Sequence, residues 1–553
     1  MTTASYDYII IGGGTAGSVI AARLKEGAPS LSILIIEAGP DVSSRADVLD
    51  GTQWARLLRG ELDWGDLTVP QSHLDGRVLP NCSGKALGGS SATNAGGWTR
   101  GEKENYDLWA QLVNDTRWSY DGLLPYFRKV ETYWDPKGDP GVHGFDGPIK
   151  MEPAFDRQYP LRQKVKDAWA AVGVPYKQDM NDGNPIGLGE LIENRVNGVR
   201  HIASSAYGLN NIEVLTETLV KRVLVTDKDG RKVATAVELA GNQGDASHRI
   251  ITARREIIVS AGTYRSPQVL MLSGLGPQND LQEHGIETVL DLPDVGLNFQ
   301  DHCCVNQWWK LREPENGLSV GSPAFNNPLY FKGLPLDFIV TQSAPKEGLL
   351  KALSADKNAT PERHAVALQQ GHIEIYIMYL ALNEGDPLIV PDGTHITTST
   401  MCMLPTSRGS IRLKDANPGS LPLIDPNYLA TKTDWYVLRE GLRKIYEVLR
   451  ETEVGRELIV SEAIEQGGRQ VSSESTDEEL NDLIRRRLGT MFHPAGSVSM
   501  GKVVDSELRV KGVDRLRVVD ASVIPVPIAG HIQNCVYALA EQAADMILAS
   551  SET

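Results

Sequence analysis

Cysteine is scarce. The chain has five in 553 residues, Cys82, Cys303, Cys304, Cys402 and Cys535, with no CxxC pair and no zinc-ligand spacing, so neither a disulfide framework nor a thiolate metal site is expected. Cation is also short: 55 Lys and Arg against 71 Asp and Glu give a formal charge of −16. That deficit excludes a sequence-independent hold on nucleic acid or anionic membrane, and it suits a neutral or cationic small substrate better than a polyanion. No apolar run is long enough to span a bilayer. Met1 to Tyr8 carries neither the basic segment nor the apolar core of a secretory signal, and Ser551-Glu552-Thr553 is no peroxisomal tail. No internal repeat or low-complexity tract is present. The expectation is a soluble, intracellular protein, and 553 residues exceed one hydrophobic core, so two domains are expected, with the chain passing between them more than once.

What is present begins at the N-terminus. Tyr8-Ile9-Ile10-Ile11 is a short β-rich run, followed by Gly12-Gly13-Gly14-Thr15-Ala16-Gly17 and the helical pattern Val19, Ile20, Leu24. In such a strand, turn and helix Gly12 permits the tight turn, Gly14 lets a pyrophosphate approach the backbone, and Gly17 lets helix pack on strand. A second strand, Ser32 to Ile36, ends in Glu37, placed to hold a ribose diol. No Arg follows closely, which disfavours a ribose phosphate. The fingerprint alone does not separate FAD from NAD.

Two distant stretches make that choice. Gly84 to Gly101, GKALGGSSATNAGGWTRG, has too many small residues for a self-sufficient element and suits backbone lying against a flat ligand. Gly262 to Gly276, GTYRSPQVLMLSGLG, follows the apolar strand Ile257 to Val259 and turns into a short helix. Together they resemble the two signature motifs of the glucose-methanol-choline oxidoreductases, in the family's order. Val295 to His302, VGLNFQDH, and the run from His493 through Leu516-Arg517-Val518-Val519-Asp520-Ala521-Ser522 to Ala540-Glu541 add to the resemblance, while residues 310 to 480 match weakly.

The resemblance implies an α/β chain, α+β overall, with a discontinuous Rossmann-like FAD-binding domain (1–155, 196–308 and 487–553) and a second, antiparallel-sheet substrate-binding domain (156–195 and 309–486) roofing the flavin. Carried over position by position, the flavin contacts are Thr15, Ala16, Glu37, Ala38, Ser90, Asn94, Ala95, Gly96, Gly97, Val220, Ala261, Asp520, Ala521, His531 and Gln533. Asp520 also reads as a turn or helix-capping residue. Members that bind FAD covalently through histidine carry it immediately before the Asn, where this chain has Thr93, so noncovalent FAD is implied.

An alcohol yields hydride readily only if its hydroxyl proton is removed, which calls for a base with a pKa near working pH, and histidine meets that need with little tuning. Of 11 histidines, His493, in Phe492-His493-Pro494-Ala495-Gly496, occupies the family's base position. His531 matches the second site position, where the family places His or Asn; it also reads as a helix-entry residue, with Asn534 capping the following run. The other nine, His73, His143, His201, His248, His284, His302, His364, His372 and His395, are expected to be solvated or structural. The single HxE, His372-Ile373-Glu374, lacks a downstream CxxC, so no metal is expected. The function implied is an alcohol oxidase or dehydrogenase passing electrons to O2 or another small acceptor. A non-redox or light-driven flavoenzyme of the same fold and a sugar oxidoreductase are the alternatives. The stretch Glu374 to Leu382, rich in Tyr, Met and aliphatic residues, is expected to give the roof an inward face suited to a primary benzylic, allylic or aliphatic alcohol.

Overall fold

The computed structural model describes residues 4–240, 249–356 and 371–551. His248, His364 and the last two residues of the tail lie outside the described residues.

Two sheets organise the chain. In the first, Glu213–Leu215, Ile33–Ile36, Ser5–Ile11, Ile250–Val259 and Leu516–Val518 run parallel. An antiparallel ribbon, Val220–Lys228 with Arg231–Leu239, extends its edge. Ile9, Ile10, Leu34, Ile35, Ile257 and Ile258 are all buried. Such unbroken apolar runs are what a parallel strand covered on both faces requires. The helix Thr15–Gly27 packs against the C-terminal helix Gln533–Ser551, and Arg23 joins them by donating to both carboxylate oxygens of the fully buried Glu541 at 2.9 Å.

The second sheet is mainly antiparallel. Its order is Ile459–Ala463, Cys303–Leu311, His395–Cys402, Ile373–Met378, Phe338–Gln342, Gly187–Glu190 and Tyr176–Lys177. The short strand Leu488–Thr490 also pairs with Cys303–Leu311. Residues 303–308 and 488–490, grouped in the sequence reading with the nucleotide domain, are therefore hydrogen-bonded into this sheet. The strand of the presumed roof ends at Met378, so Tyr379 to Leu382 is not part of it. Alternation splits its side chains. Ile373, Ile375 and Ile377 join the core that contains Val437, Leu438 and Leu442 of the helix Lys432–Tyr446, while Tyr376 and Met378 pack on the opposite side.

All five cysteines are buried and free. Among the described residues no helix is long and apolar enough to cross a membrane, and no group of three or more His, Cys, Asp or Glu could hold a metal.

The junction of the first strand and helix leaves no room for a side chain at Gly17, where a Cβ would stand 2.0 Å from the Gly12 carbonyl oxygen. Gly17→Ala is expected to cost about 1–3 kcal/mol through overpacking and to lower the thermal unfolding temperature. A Tm equal to the parent's would show that the helix can retreat from the strand at no cost.

Candidate active site

The parallel register brings Ile11, Ile36, Val259 and Val518 level with one another. The turns after these strands therefore leave the sheet at one edge, where open α/β sheets bind ligands. A cavity of about 440 Å³ lies there, reaching under the second sheet. Of the expected cofactor residues, Gly12, Gly14, Thr15, Ala16, Glu37, Ala38, Ser90, Asn94, Ala95, Gly96, Gly97, Val220, Ala261, Asp520, Ala521, His531 and Gln533 all line it, as does His493. Gly17 does not; it serves the packing of helix on strand.

The nucleotide end is built largely from backbone. Glu37 accepts the Gly13 and Gly39 amides at 2.8 Å each, and burial pushes its carboxyl up to about 7. Gly13 in turn accepts the Gly88 N–H at 2.8 Å, tying the fingerprint turn to the small-residue stretch. A Cβ on Gly89 would come within 2.7 Å of the Gly14 Cα, so these two segments face each other as bare main chain. Farther along, Asn94 donates to Gln533 at 3.0 Å and accepts from the Arg200 guanidinium at 2.7 Å, while Gln533 donates to the Gly97 carbonyl at 2.6 Å. Asp520 accepts the Gly262 amide at 2.9 Å and the Ser522 amide at 2.8 Å, capping the short helix Ala521–Val523. Its capping and cavity-lining readings hold together. The buried Ser260 hydroxyl lines the cavity with no partner in the protein. A wall of glycine backbone with an orphaned polar atom fits a dinucleotide that lies flat and supplies the missing hydrogen bonds.

At the other end stand the two histidines, ring centroids 4.9 Å apart. His531 rests against the main chain of Gly97, where a Cβ would meet Nδ1 at 2.7 Å, and its backbone N–H donates to the Thr99 hydroxyl at 2.6 Å. Its Nε2 contacts Glu374 Oε1 at 2.8 Å. Burial pulls the His531 pKa down, but the Glu374 carboxylate outweighs it, and the net shift is upward. His493 moves the opposite way. Burial, then the neighbouring His531 and His302 rings, hold it well below the usual imidazole range. One ring is thus biased toward the cation and the other toward the neutral base, an asymmetry set by a single carboxylate.

Three of these neighbours fell outside the sequence reading. His302, expected to be ordinary, places its Nδ1 3.0 Å from His493 Nδ1. Asp301 accepts the His493 backbone N–H at 2.9 Å. Glu374, read as half of an incomplete metal motif and as the start of the apolar roof stretch, stands on the same strand face as Tyr376 and Met378. The roof therefore mixes apolar side chains with the polar pair Asn306 and Ser399 and one charged residue, Glu374. Asn534, expected to cap the C-terminal helix, lies inside its first turn, because the helix begins at Gln533. Its buried amide has no hydrogen-bond partner in the protein.

Sequence models of the GMC oxidoreductases match residues 6–304 and 405–540. A GMC-type oxidoreductase, acuG, of Aspergillus aculeatus is 39% identical over 99% of this chain and 99% of its own. An oxygen-dependent choline dehydrogenase of Burkholderia vietnamiensis is 32% identical over 99% of this chain and 94% of its own. Among solved structures, a formate oxidase of Aspergillus oryzae RIB40, examined for FAD modification, superposes with a TM-score of 0.87 at 30% identity, covering 100% of this chain and 99% of that one.

The Glu374 contact generates a pH prediction. A raised folded-state pKa means that the His531–Glu374 pairing is fully present below the ordinary histidine value of about 6.5 and is lost as pH rises through the folded value. Glu374→Gln is expected to move the His531 titration downward, read by NMR of labelled histidine rings with His531→Asn as the assignment control. An unmoved titration would remove Glu374 as the cause.

Proposed function

The chain belongs to the glucose-methanol-choline oxidoreductase family, and from that premise we propose that it is an FAD-dependent alcohol oxidase or dehydrogenase with His493 as the catalytic base. The observation that carries this reading is the pair of histidines with opposite pKa shifts, lining the same cavity as the glycine fingerprint. FAD bound there supplies the hydride acceptor for the carbinol carbon. The protein's own part is acid–base and electrostatic. His493, neutral at working pH, takes the hydroxyl proton. His531, held toward its cation by Glu374 and sited just before the N-terminus of the helix Gln533–Ser551, donates to the same oxygen and steadies the negative charge that develops on it. The product is an aldehyde, and the electrons pass on to O2 or another small acceptor. On this reading residues 1–155, 196–308 and 487–553 form the FAD-binding part, except that 303–308 and 488–490 pair into the second sheet, and the remainder forms the substrate-binding part.

The substrate side of the cavity favours a primary aryl, allylic or aliphatic alcohol. Leu191, Leu334, Leu336, Ile339, Tyr376 and Met378 form its wall with Trp54. A sugar would bury several hydroxyls against that wall without partners, at about 1–3 kcal/mol each. The carboxylate that a cationic alcohol such as choline would seek is already engaged by His531. Anaerobic addition of benzyl alcohol is therefore expected to bleach the flavin faster than equal glucose or choline. His493→Ala should keep the flavin but slow that bleaching by roughly 10²–10⁴-fold. A parent-like rate in the variant would overturn the base assignment, whereas glucose or choline winning would overturn only the substrate class.

We also propose that FAD is held noncovalently. Thr93, buried in the cavity wall, offers no imidazole for attachment. Acid precipitation is expected to leave yellow flavin in the supernatant; flavin that stays with the pellet would refute this.

A further inference from the structure

Two consecutive residues, Asp301 and His302, grip His493 at separate points. Asp301 is itself fixed. It accepts the Thr490 and Tyr428 hydroxyls at 2.5 Å each and the backbone N–H of His493 at 2.9 Å. The His302 ring meets the His493 ring edge-on, at 90° with centroids 5.1 Å apart, and the contact runs from Nδ1 to Nδ1 at 3.0 Å. Two nitrogens at that distance share one proton, since two bare lone pairs repel and two N–H groups clash.

We infer that His302 is a positioning residue that keeps the proton of His493 on Nδ1 and so leaves Nε2 as the basic nitrogen. The inference rests on His493 being the base. The question of which ring donates is decided on the far side of His302, which faces the Met403 backbone carbonyl. A carbonyl can only accept, so the His302 nitrogen beside it carries a hydrogen. With Nδ1 committed to His493, that nitrogen is Nε2. Burial, reinforced by the nearby His531, pushes the His302 pKa down to about 3, so the ring is neutral and carries one hydrogen only. Its Nδ1 is then an acceptor, and His493 Nδ1–H is the donor. When the substrate hydroxyl proton reaches His493 Nε2, the ring becomes a cation whose Nδ1–H still points at the His302 lone pair. The remaining charged neighbours of His493 are His531, with Glu374 behind it, and Asp301 at its backbone.

Nitrogen-15 NMR of the histidine-labelled holoprotein, with His493→Ala for assignment, is expected to find the His493 proton on Nδ1; finding it on Nε2 would overturn the inference. His302→Leu removes the acceptor and is expected to slow anaerobic flavin reduction about 10–100-fold, as loss of an orienting partner does for ligand imidazoles, and to shift the pKa seen in the pH profile of that step. His302→Gln, which restores an acceptor oxygen, should recover most of the rate. A parent-like rate and profile in flavin-replete His302→Leu, beside a slow His493→Ala, would overturn the role of His302 alone. A fast His493→Ala would overturn the base assignment and this inference with it.

Discussion

Everything at the site depends on the register of the parallel strands. Ile11, Ile36, Val259 and Val518 are neighbours in that ladder, so four turns that are remote in sequence leave at one level. Main-chain pairing of buried strands is stiff and slips only in whole steps. A one-residue slip of Leu516–Val518 would turn its side chains to the other face and move Asp520 away from Gly262. The glycines, the capping carboxylate and the histidines are consequences of that alignment.

The second sheet contributes charge control rather than alignment. One acid on the inward face, Glu374, raises one histidine, while burial lowers the other. Two identical side chains 4.9 Å apart thus acquire different chemistry from their surroundings alone. Groups whose environments push their pKa values apart are how one pocket provides both an acceptor and a donor of protons.

The features legible in the sequence are those whose cause is local. Gly12, Gly14 and Gly17 announce a turn because only glycine fits there, and Glu37 follows at the end of the next strand. The mixed α/β architecture followed from the ordered motifs. His302 was not legible as a partner of His493: 191 positions separate them, and nothing near His302 states which ring it will meet. Glu374 could have been found. Reading Glu374 to Met378 with a period of two separates Glu374, Tyr376 and Met378 from Ile375 and Ile377, and it puts a carboxylate on the face that the two aromatic and thioether side chains share. Asn534 misled because asparagine favours helix caps; the helix starts one residue earlier, and the amide is simply enclosed.

The ends of the chain meet at the cavity: Gly12 to Ala16 form one wall, and Asp520, His531 and Gln533 form another. On a ribosome the fingerprint emerges first and its counterpart last, roughly 25–100 s later at ordinary elongation speeds. Over that interval the nascent polypeptide has half a nucleotide pocket and no means to close it, and the strand 250–259, which completes the ladder of 5–11 and 33–36, still lacks its own partner 516–518. A ligand that needs both walls is therefore enclosed only after the C-terminal segment has been made.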